Sequence, residues 1–227
     1  MMVSWVKTDS SRRKVLGVFA REPLPGRVKT RLSPPLSAIE AAEFYRLSLQ
    51  ETVDRMSLAG FDPVIFFAGG KDYFRQAFPA LLLVEQREGD LGARLDQALA
   101  EGFAAGAEAL VLIGSDSPDI PVRLVEEAFE SLSEAEAVVA PAVDGGYVLI
   151  GERRHCPALF REVPWGGARV MEVTRNIARR EKVRLAELAE WDDVDDWPSL
   201  VRFLRRSPGL ASARYVGGLK SVMAREE

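Results

Sequence analysis

The chain has 227 residues, and its 30 lysines and arginines against 34 aspartates and glutamates give a formal net charge of −4. This balance lacks the basic footprint of a nucleic-acid-binding protein, so we expect no nucleic-acid partner. With 47% apolar residues but no apolar run long enough to cross a bilayer, the sequence predicts a cytoplasmic globular protein without a membrane span.

The chain begins with a polar segment followed by an apolar run. Residues 1–13 lack the apolar core of a secretion signal, so we expect a flexible leader. Residues 15–20 are almost entirely apolar, which predicts a buried first strand. Residues 21–35 are rich in proline, glycine and basic side chains and therefore predict a loop.

This loop carries a concentration of groups that bind phosphate. Gly26 permits close approach of the backbone to a ligand, while Arg27, Lys29 and Arg31 supply three cations and Thr30 a hydroxyl. If the segment is extended, its alternation places the three cations on one side. The glycine spacings of the P-loop and of the dinucleotide-binding motif are both absent. We therefore predict a phosphate-binding loop, the alternative being a solvated basic loop.

The rest of the chain alternates between strand and helix patterns. Ser37 followed by Glu40 forms a capping-box pattern that predicts the start of a helix. Further strands are predicted at residues 63–68, 81–84, 109–113, 137–140 and 147–150, and further helices at residues 91–105, 122–132, 170–180 and 197–206. Such alternation predicts one three-layer α/β/α domain of Rossmann-like type with a mostly parallel central sheet, spanning residues 14–206. Residues 207–227 are expected to form a C-terminal extension that packs late or pairs with a second copy in a homodimer.

The polar residues after the strand at 109–113 are the most informative in the chain. Asp116 stands at the carboxyl end of that strand, the edge at which open α/β sheets bind ligands. A hard divalent cation is held by one or two carboxylates together with substrate phosphates. Asp116 is therefore a candidate metal ligand in a phosphate-handling site. The alternative is that Asp116 and Ser117 only cap the next helix.

Two glycine-containing loops add further candidates. Gly145 and Gly146 predict a tight turn between two strands, but the turn requires neither Asp144 nor Tyr147, so both are candidates to face an acceptor or a sugar. Trp165 lies in a glycine-flanked loop, where it would stack on a sugar or base or else anchor the loop.

The single cysteine and the single histidine are adjacent at Cys156 and His155. One cysteine cannot form an intramolecular disulfide, which is consistent with a reducing compartment. A zinc site would need its further ligands from carboxylates alone, and neighbours in a strand point to opposite sides. We therefore interpret the pair as a surface or loop pair rather than a catalytic centre.

Four motifs occur in order along the chain. They are Pro25-Gly26-x-x-Lys29-Thr30-Arg31-Leu32, Gly114-Ser-Asp-Ser-Pro118, Asp144-Gly-Gly-Tyr-x-Leu-Ile-Gly151 and Val163-Pro-Trp165. Over residues 15–205 the chain resembles the uncharacterised bacterial transferases of the nucleotide-diphospho-sugar transferase superfamily, which have the glycosyltransferase-A (GT-A) fold. The phospholactate and phosphoenolpyruvate guanylyltransferases of deazaflavin biosynthesis are related to this group.

The resemblance implies a metal-dependent transferase that uses Mg²⁺ or Mn²⁺ and a nucleotide-activated donor. Glycosyl transfer from a nucleotide-diphospho-sugar to an unidentified acceptor is the favoured reaction. One alternative is a nucleotidyltransferase of the guanylyltransferase kind, which acts on a phosphorylated small acid and releases pyrophosphate. A second alternative is a non-catalytic nucleotide-binding module.

The resemblance and the residue patterns together give each candidate residue an expected role. The nucleotide phosphates would be bound by Gly26, Arg27, Lys29, Thr30 and Arg31. The expected catalytic residues are Asp116 and Asp144, and the expected substrate contacts are Ser115, Ser117, Gly145, Gly146, Tyr147 and Trp165.

The implied metal site departs from the superfamily pattern. Asp116 is the one carboxylate where a D-x-D-like motif has two, and Asp119 is the next along the chain. In related folds a second metal carboxylate comes from near the end of the core, and we select Asp193 from the acidic run at residues 191–197. For most of that run a helix start is the stronger interpretation, because Asp195 and Asp196 precede the predicted last helix.

Overall fold

Strands and helices alternate along the chain as the periodicity predicts. The computed structural model describes residues 14–219, in which seven strands form one sheet. The strands are β1 (Lys14–Arg21), β2 (Val64–Ala68), β3 (Leu83–Glu85), β4 (Ala109–Gly114), β5 (Ala137–Pro141), β6 (Tyr147–Glu152) and β7 (Leu185–Glu187). Their order is β3-β2-β1-β4-β6-β5-β7, and among these seven only β6 runs antiparallel to its neighbours.

Seven α-helices connect or follow the strands within the described residues. They are α1 (Ala38–Leu58), α2 (Lys71–Ala77), α3 (Leu91–Ala104), α4 (Val122–Ser131), α5 (Val170–Arg180), α6 (Trp197–Arg206) and α7 (Ala211–Gly217). The predicted capping box opens α1: the Ser37 side chain accepts from the backbone N–H of Glu40, and the Glu40 carboxylate accepts from that of Ser37. No helix within residues 14–219 is both long and apolar enough to span a bilayer.

Alternation along the strands divides the core between the two faces of the sheet. In β4, Val111 and Ile113 pack in the cluster that includes α1 and α4, whereas Leu110 and Leu112 pack in the cluster that includes α3 and α5. Successive side chains of a strand point to opposite faces, so each face is covered by its own helical layer. The predicted three-layer α/β/α architecture is confirmed.

A third apolar cluster joins the end of the described chain to α1. Phe203 of α6 and Val216 of α7 are fully buried with Phe44 of α1, and the rings of Phe44 and Phe203 meet edge to face. The Glu51 carboxylate also accepts from the backbone N–H of Ala211. The first part of the predicted C-terminal extension therefore packs on the domain. The predicted leader, residues 1–13, and residues 220–227 lie outside the described residues, and the domain boundaries remain a prediction.

Three short elements differ from the sequence prediction, which omits α2, α7 and β7. The helices α2 and α7 have seven residues each, and the strand β7 has three. Segments this short carry too few residues for a hydrophobic period, and β7 exists because it pairs with β5 in parallel.

Candidate active site

A cleft of about 560 Å³ opens at the carboxyl ends of β1 and β4, the edge at which the sequence predicts ligand binding. The predicted residues that line it are Arg27, Lys29, Thr30, Arg31, Ser115, Asp116, Ser117, Asp144, Gly146, Tyr147, Trp165 and Asp193. Gly26 and Gly145 are not among the lining residues. Gly145 instead adopts a positive φ of 90° in the β5–β6 turn, as the turn prediction requires.

Backbone hydrogen bonds bring the acidic run of residues 191–197 to this edge. The Trp191 N–H donates to the carbonyl of Pro141 at 2.9 Å, which continues the sheet beyond the end of β5. The Val194 N–H then donates to the carbonyl of Asp116 at 3.0 Å. The acidic run is thereby fixed against the residue that follows β4, about eighty residues earlier in the chain.

Three carboxylates converge where these segments meet the β5–β6 turn. Asp144, Asp193 and Asp195 each place a carboxylate oxygen within 4.8 Å of the others. The turn orients Asp144, whose carboxylate accepts from the Gly146 N–H at 2.8 Å. Of the predicted metal pair, Asp193 belongs to this group, whereas Asp116 does not and is linked to Asp195 through the Lys29 ammonium. Hard oxygen donors in this arrangement fit Mg²⁺ or Mn²⁺.

The pKa of Asp193 is raised to about 7. Burial is the largest cause, and the negative charges of Asp195 and Asp144 add to it, while the Lys29 ammonium partly offsets them. A proton on this carboxylate relieves repulsion in the group.

Lys29 turns inward from the loop and joins the acidic segments. Its Nζ lies 2.5 Å from Oδ1 of Asp116, 3.0 Å from Oδ1 of Asp195 and 2.6 Å from the carbonyl oxygen of Val194. Burial alone would lower the pKa of Lys29, but the two carboxylates outweigh it and raise the pKa, so the ammonium stays charged. Asp195 is therefore an ion-pair partner, and it also lies at the helix start, as predicted: it precedes the N-cap of α6, and its backbone N–H donates to the Ser199 hydroxyl.

The loop itself is not extended, so the condition under which its three cations would lie on one side is not met. Lys29 has a left-handed backbone with φ of 48° and precedes a 3₁₀ turn at Thr30–Leu32. Its side chain is only 3% exposed, whereas Arg27 and Arg31 are exposed. The neighbouring Val28 is buried against α1, and the carboxylates attract the ammonium, which together separate Lys29 from the two arginines.

Ser115, an expected substrate contact, is hydrogen-bonded to other groups of the protein. Its hydroxyl donates to the carbonyl of Phe19 at 2.9 Å and lies 2.7 Å from the hydroxyl oxygen of Tyr45. The Tyr45 oxygen in turn accepts from the Arg21 N–H, and burial, followed by the Asp116 charge, raises the pKa of Tyr45 to about 12. Sequence reasoning takes Tyr45 only as an apolar position of α1, because its long-range partners have no local signal.

A second basic side chain, that of Arg206, forms ion pairs with two further acidic residues. Arg206 contacts Asp119 at 2.5 Å and Asp192 at 2.6 Å, and Asp119 also accepts from Ser207. Asp119 is buried in this network, so it is not placed to assist Asp116. Asp196 caps α6, as the helix-start interpretation predicts.

Aromatic side chains form one wall of the cleft. The Trp165 ring stacks with Phe160 at a centroid distance of 6.5 Å and meets Tyr147 edge to face at 6.0 Å. A Cβ atom at Gly92 would lie 2.1 Å from Nε1 of Trp165, so the absence of a side chain at Gly92 leaves room for the indole ring. Trp165 therefore anchors its loop and also lines the cleft. Tyr147 also lines the cleft, and its hydroxyl is buried without a hydrogen-bond partner among residues 14–219.

Gln86 and Arg94 also line the cleft and are absent from the sequence prediction. The Gln86 amide donates to the carbonyls of Ala20 and Phe66, and its oxygen lies 3.4 Å from Nη1 of Arg94. Gln86 directly follows β3, which pairs with β2, whereas Arg94 lies in the first turns of α3.

His155 and Cys156 lie at the opposite end of β6. Glu152, at the end of that strand, pairs in register with Leu110 near the start of β4. His155 lies 3.2 Å from both Glu152 and Asp96. Cys156 is buried rather than at the surface, and burial raises the pKa of its thiol to about 11. The loop position agrees with the prediction, whereas the surface position of Cys156 does not.

The seven-stranded, mostly parallel sheet between two helical layers is a fold of the kind found in nucleotidyltransferases and nucleotide-sugar transferases. The chain belongs to the family described as an uncharacterized protein conserved in bacteria (DUF2064), whose profile matches residues 52–167.

Known proteins agree with this class. A structure described as a "putative nucleotide-diphospho-sugar transferase" from Desulfovibrio desulfuricans G20 superposes with a TM-score of 0.86 and 29% identity, covering 94% of this chain and 97% of that one. The 2-phospho-L-lactate guanylyltransferase of Methanothermobacter thermautotrophicus is 30% identical over 120 residues, 52% of this chain and 53% of the relative. The chain thus matches about half the length of this curated relative.

A more distant structure agrees at the level of the fold alone. It is Rv0371c from Mycobacterium tuberculosis H37Rv in complex with manganese, with a TM-score of 0.50 and 23% identity, covering 84% of this chain and 98% of that one. Together with the Desulfovibrio desulfuricans structure, it supports the predicted fold, and the two relatives named above are described as transferases, the class that the sequence predicts.

Proposed function

We propose that the protein is a metal-dependent transferase that uses a nucleotide-diphospho-sugar and transfers its glycosyl group. One observation carries this proposal. The three-carboxylate group of Asp144, Asp193 and Asp195 lies in the same cleft as the exposed cations Arg27 and Arg31. A diphosphate leaving group requires carboxylates that hold a divalent cation and arginines that pair with the phosphates.

The residues for the metal are Asp144, Asp193 and Asp195, with Asp116 adjacent. The manganese complex of Rv0371c supports Mn²⁺ as the ion to test first. A divalent cation at these oxygens would neutralise charge that develops on the departing diphosphate.

The cleft offers distinct groups to the donor and the acceptor. Arg27, Arg31 and the Thr30 hydroxyl are exposed on the basic loop and would donate to the phosphates. The aromatic wall formed by Trp165 would pack against the sugar or the base. Asp144 is exposed at the turn, where its carboxylate would orient an acceptor hydroxyl and take its proton.

Nucleotidyl transfer is the second candidate, supported by the similarity to 2-phospho-L-lactate guanylyltransferase. In that reaction the same cations would bind a nucleoside triphosphate, and pyrophosphate would leave when a phosphorylated small acid attacks. The two candidates differ in the released product, a nucleoside diphosphate in the first and pyrophosphate in the second.

A thermal-shift screen with product analysis tests both. UDP-, GDP-, ADP- and dTDP-sugars and the four nucleoside triphosphates are each added with and without Mn²⁺, because a ligand of the native state raises Tm by mass action. We expect a metal-dependent shift for one nucleotide sugar and release of its nucleoside diphosphate when candidate acceptors are added. A shift for triphosphates alone, with pyrophosphate release, would favour nucleotidyl transfer.

A matched pair of variants locates the effect in the cleft. Asp193→Asn should remove the metal-dependent shift, whereas Asp72→Asn, at a residue whose side chain is 88% exposed, should preserve it. A shift that is independent of metal in the unmodified protein would contradict metal dependence and favour a nucleotide-binding module.

A further inference from the structure

Lys29 lies at the centre of the acidic site rather than at its rim. Its three ammonium contacts are two carboxylates and one carbonyl, and its side chain is almost completely enclosed. An ammonium has three N–H donors, so these contacts use its full hydrogen-bonding capacity. In this arrangement Lys29 has no donor left for a phosphate group.

The same contacts conflict with occupation of the site by a divalent cation. Asp195 belongs to the three-carboxylate group and is at the same time 3.0 Å from Lys29 Nζ. A divalent cation bound through Asp195 would share that carboxylate with the ammonium. Like charges this close repel strongly, so the two cations compete for the site.

The backbone at Lys29 is held by its surroundings. Its φ of 48° is in the left-handed region, which a side chain with a Cβ disfavours. The residues on either side of the Lys29–Val28 pair, Arg27 and Thr30, are exposed. The buried Val28 side chain and the hydrogen bond from the Leu32 N–H to the Lys29 carbonyl hold this backbone. The ion pairs hold the ammonium, so their loss leaves the side chain free to move toward the cleft.

We infer that Lys29 is an internal cation that occupies the acidic site of the free protein and is displaced when a divalent cation binds. This inference rests on the metal site of the proposed function. Displacement frees the ammonium for the phosphates that arrive with the metal. Lys29 is thus a positioning residue before binding and a phosphate ligand after it.

Manganese affinity in the absence of nucleotide tests the competition directly. Free Mn²⁺ is measured by electron paramagnetic resonance in the full-length protein, in Lys29→Met, and in the controls Arg27→Met and Arg31→Met. Each variant removes one positive charge from the same loop, but only Lys29→Met removes the competitor. We expect Lys29→Met to bind Mn²⁺ about tenfold more tightly, and both controls to stay within about twofold of the unmodified protein.

The possible results separate this inference from the proposed function. Equal or weaker Mn²⁺ binding by Lys29→Met, with clear binding by the unmodified protein, would overturn the competition and leave the metal site intact. Equal gains in all three variants would assign the effect to net charge and also overturn it. No Mn²⁺ binding by any of the four proteins would overturn the metal site and the inference together.

A second measurement needs no substitution and covers the case in which Lys29→Met does not fold. Lysine acetylation by acetic anhydride is followed by mass spectrometry with and without Mn²⁺ at the saturating concentration found by resonance. We expect labelling of Lys29 to rise about fivefold or more with Mn²⁺, while the exposed Lys71 and Lys182 serve as internal controls and do not change. Unchanged labelling of Lys29 at saturating Mn²⁺ would overturn the displacement.

Discussion

The segment of residues 191–197 takes part in two ion-pair bridges. In each, one basic side chain joins two carboxylates, but the carboxylates are exposed in the first bridge and mostly buried in the second. In the first, the Lys29 bridge, a lysine joins Asp116, which follows β4, to Asp195 of the acidic run. The two carboxylates remain 46% and 40% exposed and face the cleft. This bridge is open to ligands.

The second, the Arg206 bridge, joins Asp119 to Asp192 and lies behind the acidic run. Asp119 is only 5% exposed, and the guanidinium lies 5.2 Å from the ring centroid of Trp191. A planar guanidinium that holds two carboxylates forms a more rigid contact than an ammonium. The difference indicates that the chain uses one charge pattern twice, the enclosed bridge for stability and the open bridge for chemistry.

Removal of Arg206 should have the largest effect on stability. Arg206→Met leaves Asp119 enclosed without its cation, so we expect the free energy of unfolding to fall by about 3 kcal/mol or more. Urea denaturation measures the change. The control Arg202→Met breaks a half-exposed pair with Asp192 and should cost less than about 1 kcal/mol. Equal losses would contradict the distinction between an enclosed and an exposed pair.

Neutralisation of Asp116 should have the largest effect on ligand binding. Asp116→Asn removes a carboxylate beside the proposed metal, so we expect metal-dependent nucleotide affinity to fall at least about tenfold, with little change in Tm. Isothermal titration with the nucleotide identified in the screen measures this affinity. Asp72→Asn supplies the charge-matched control, and a folded Asp116→Asn protein with full affinity would exclude Asp116 from the site.

The raised pKa of Asp193 gives the open bridge a pH dependence. The native pKa is about 7, above the ordinary 3.8, so the folded protein binds the extra proton between these values. Asp193 therefore favours the folded state at low pH, and this contribution is lost as the pH rises through about 7. Relative to the unmodified protein, Asp193→Asn should be more thermostable at pH 8 than at pH 5.

The same proton competes with metal. Mn²⁺ affinity of the unmodified protein should rise between pH 6 and pH 7.5, whereas Asp193→Asn, which lacks this ligand, should bind Mn²⁺ weakly across the range with a flatter profile. Titration of free Mn²⁺ across this range measures both curves, and parallel curves would show that another group is responsible.

The smallest effect is expected at Asp192. Asp192→Asn weakens the Arg206 bridge but leaves Asp119 paired, so the free energy of unfolding should fall by about 1 kcal/mol. Although Asp192 is the sequence neighbour of Asp193, Mn²⁺ affinity should not change, since its side chain faces Arg202 and Arg206. A large loss of affinity would show that the two bridges are coupled.

The two bridges also show which features of the site can be predicted from the sequence and which cannot. The hydrophobic periodicity of a segment is a local property, so it predicts the two helical layers that cover β4. The capping box at Ser37 is a local pattern as well. Asp116 is identified as a candidate because it follows a buried strand. The contact of Lys29 with Val194 spans 165 residues, and no local pattern specifies it. The roles of Asp195 and Asp119 follow from such long-range contacts. The position of Lys29 follows from them too, which is why the alternation of residues in the loop does not predict where its cations lie.

The reversed direction of β6 has a consequence for how specificity can diverge in this fold. Because β6 is antiparallel to β4, its first residue rather than its last lies at the cleft, and a tight hairpin delivers Asp144 there. Asp116 and Asp195 are tied to the sheet by the backbone bond at Val194, but a hairpin tip tolerates insertions. Changes in the length of this tip would move Asp144 and so remodel the acceptor side, while Asp116 and Asp195 keep their positions.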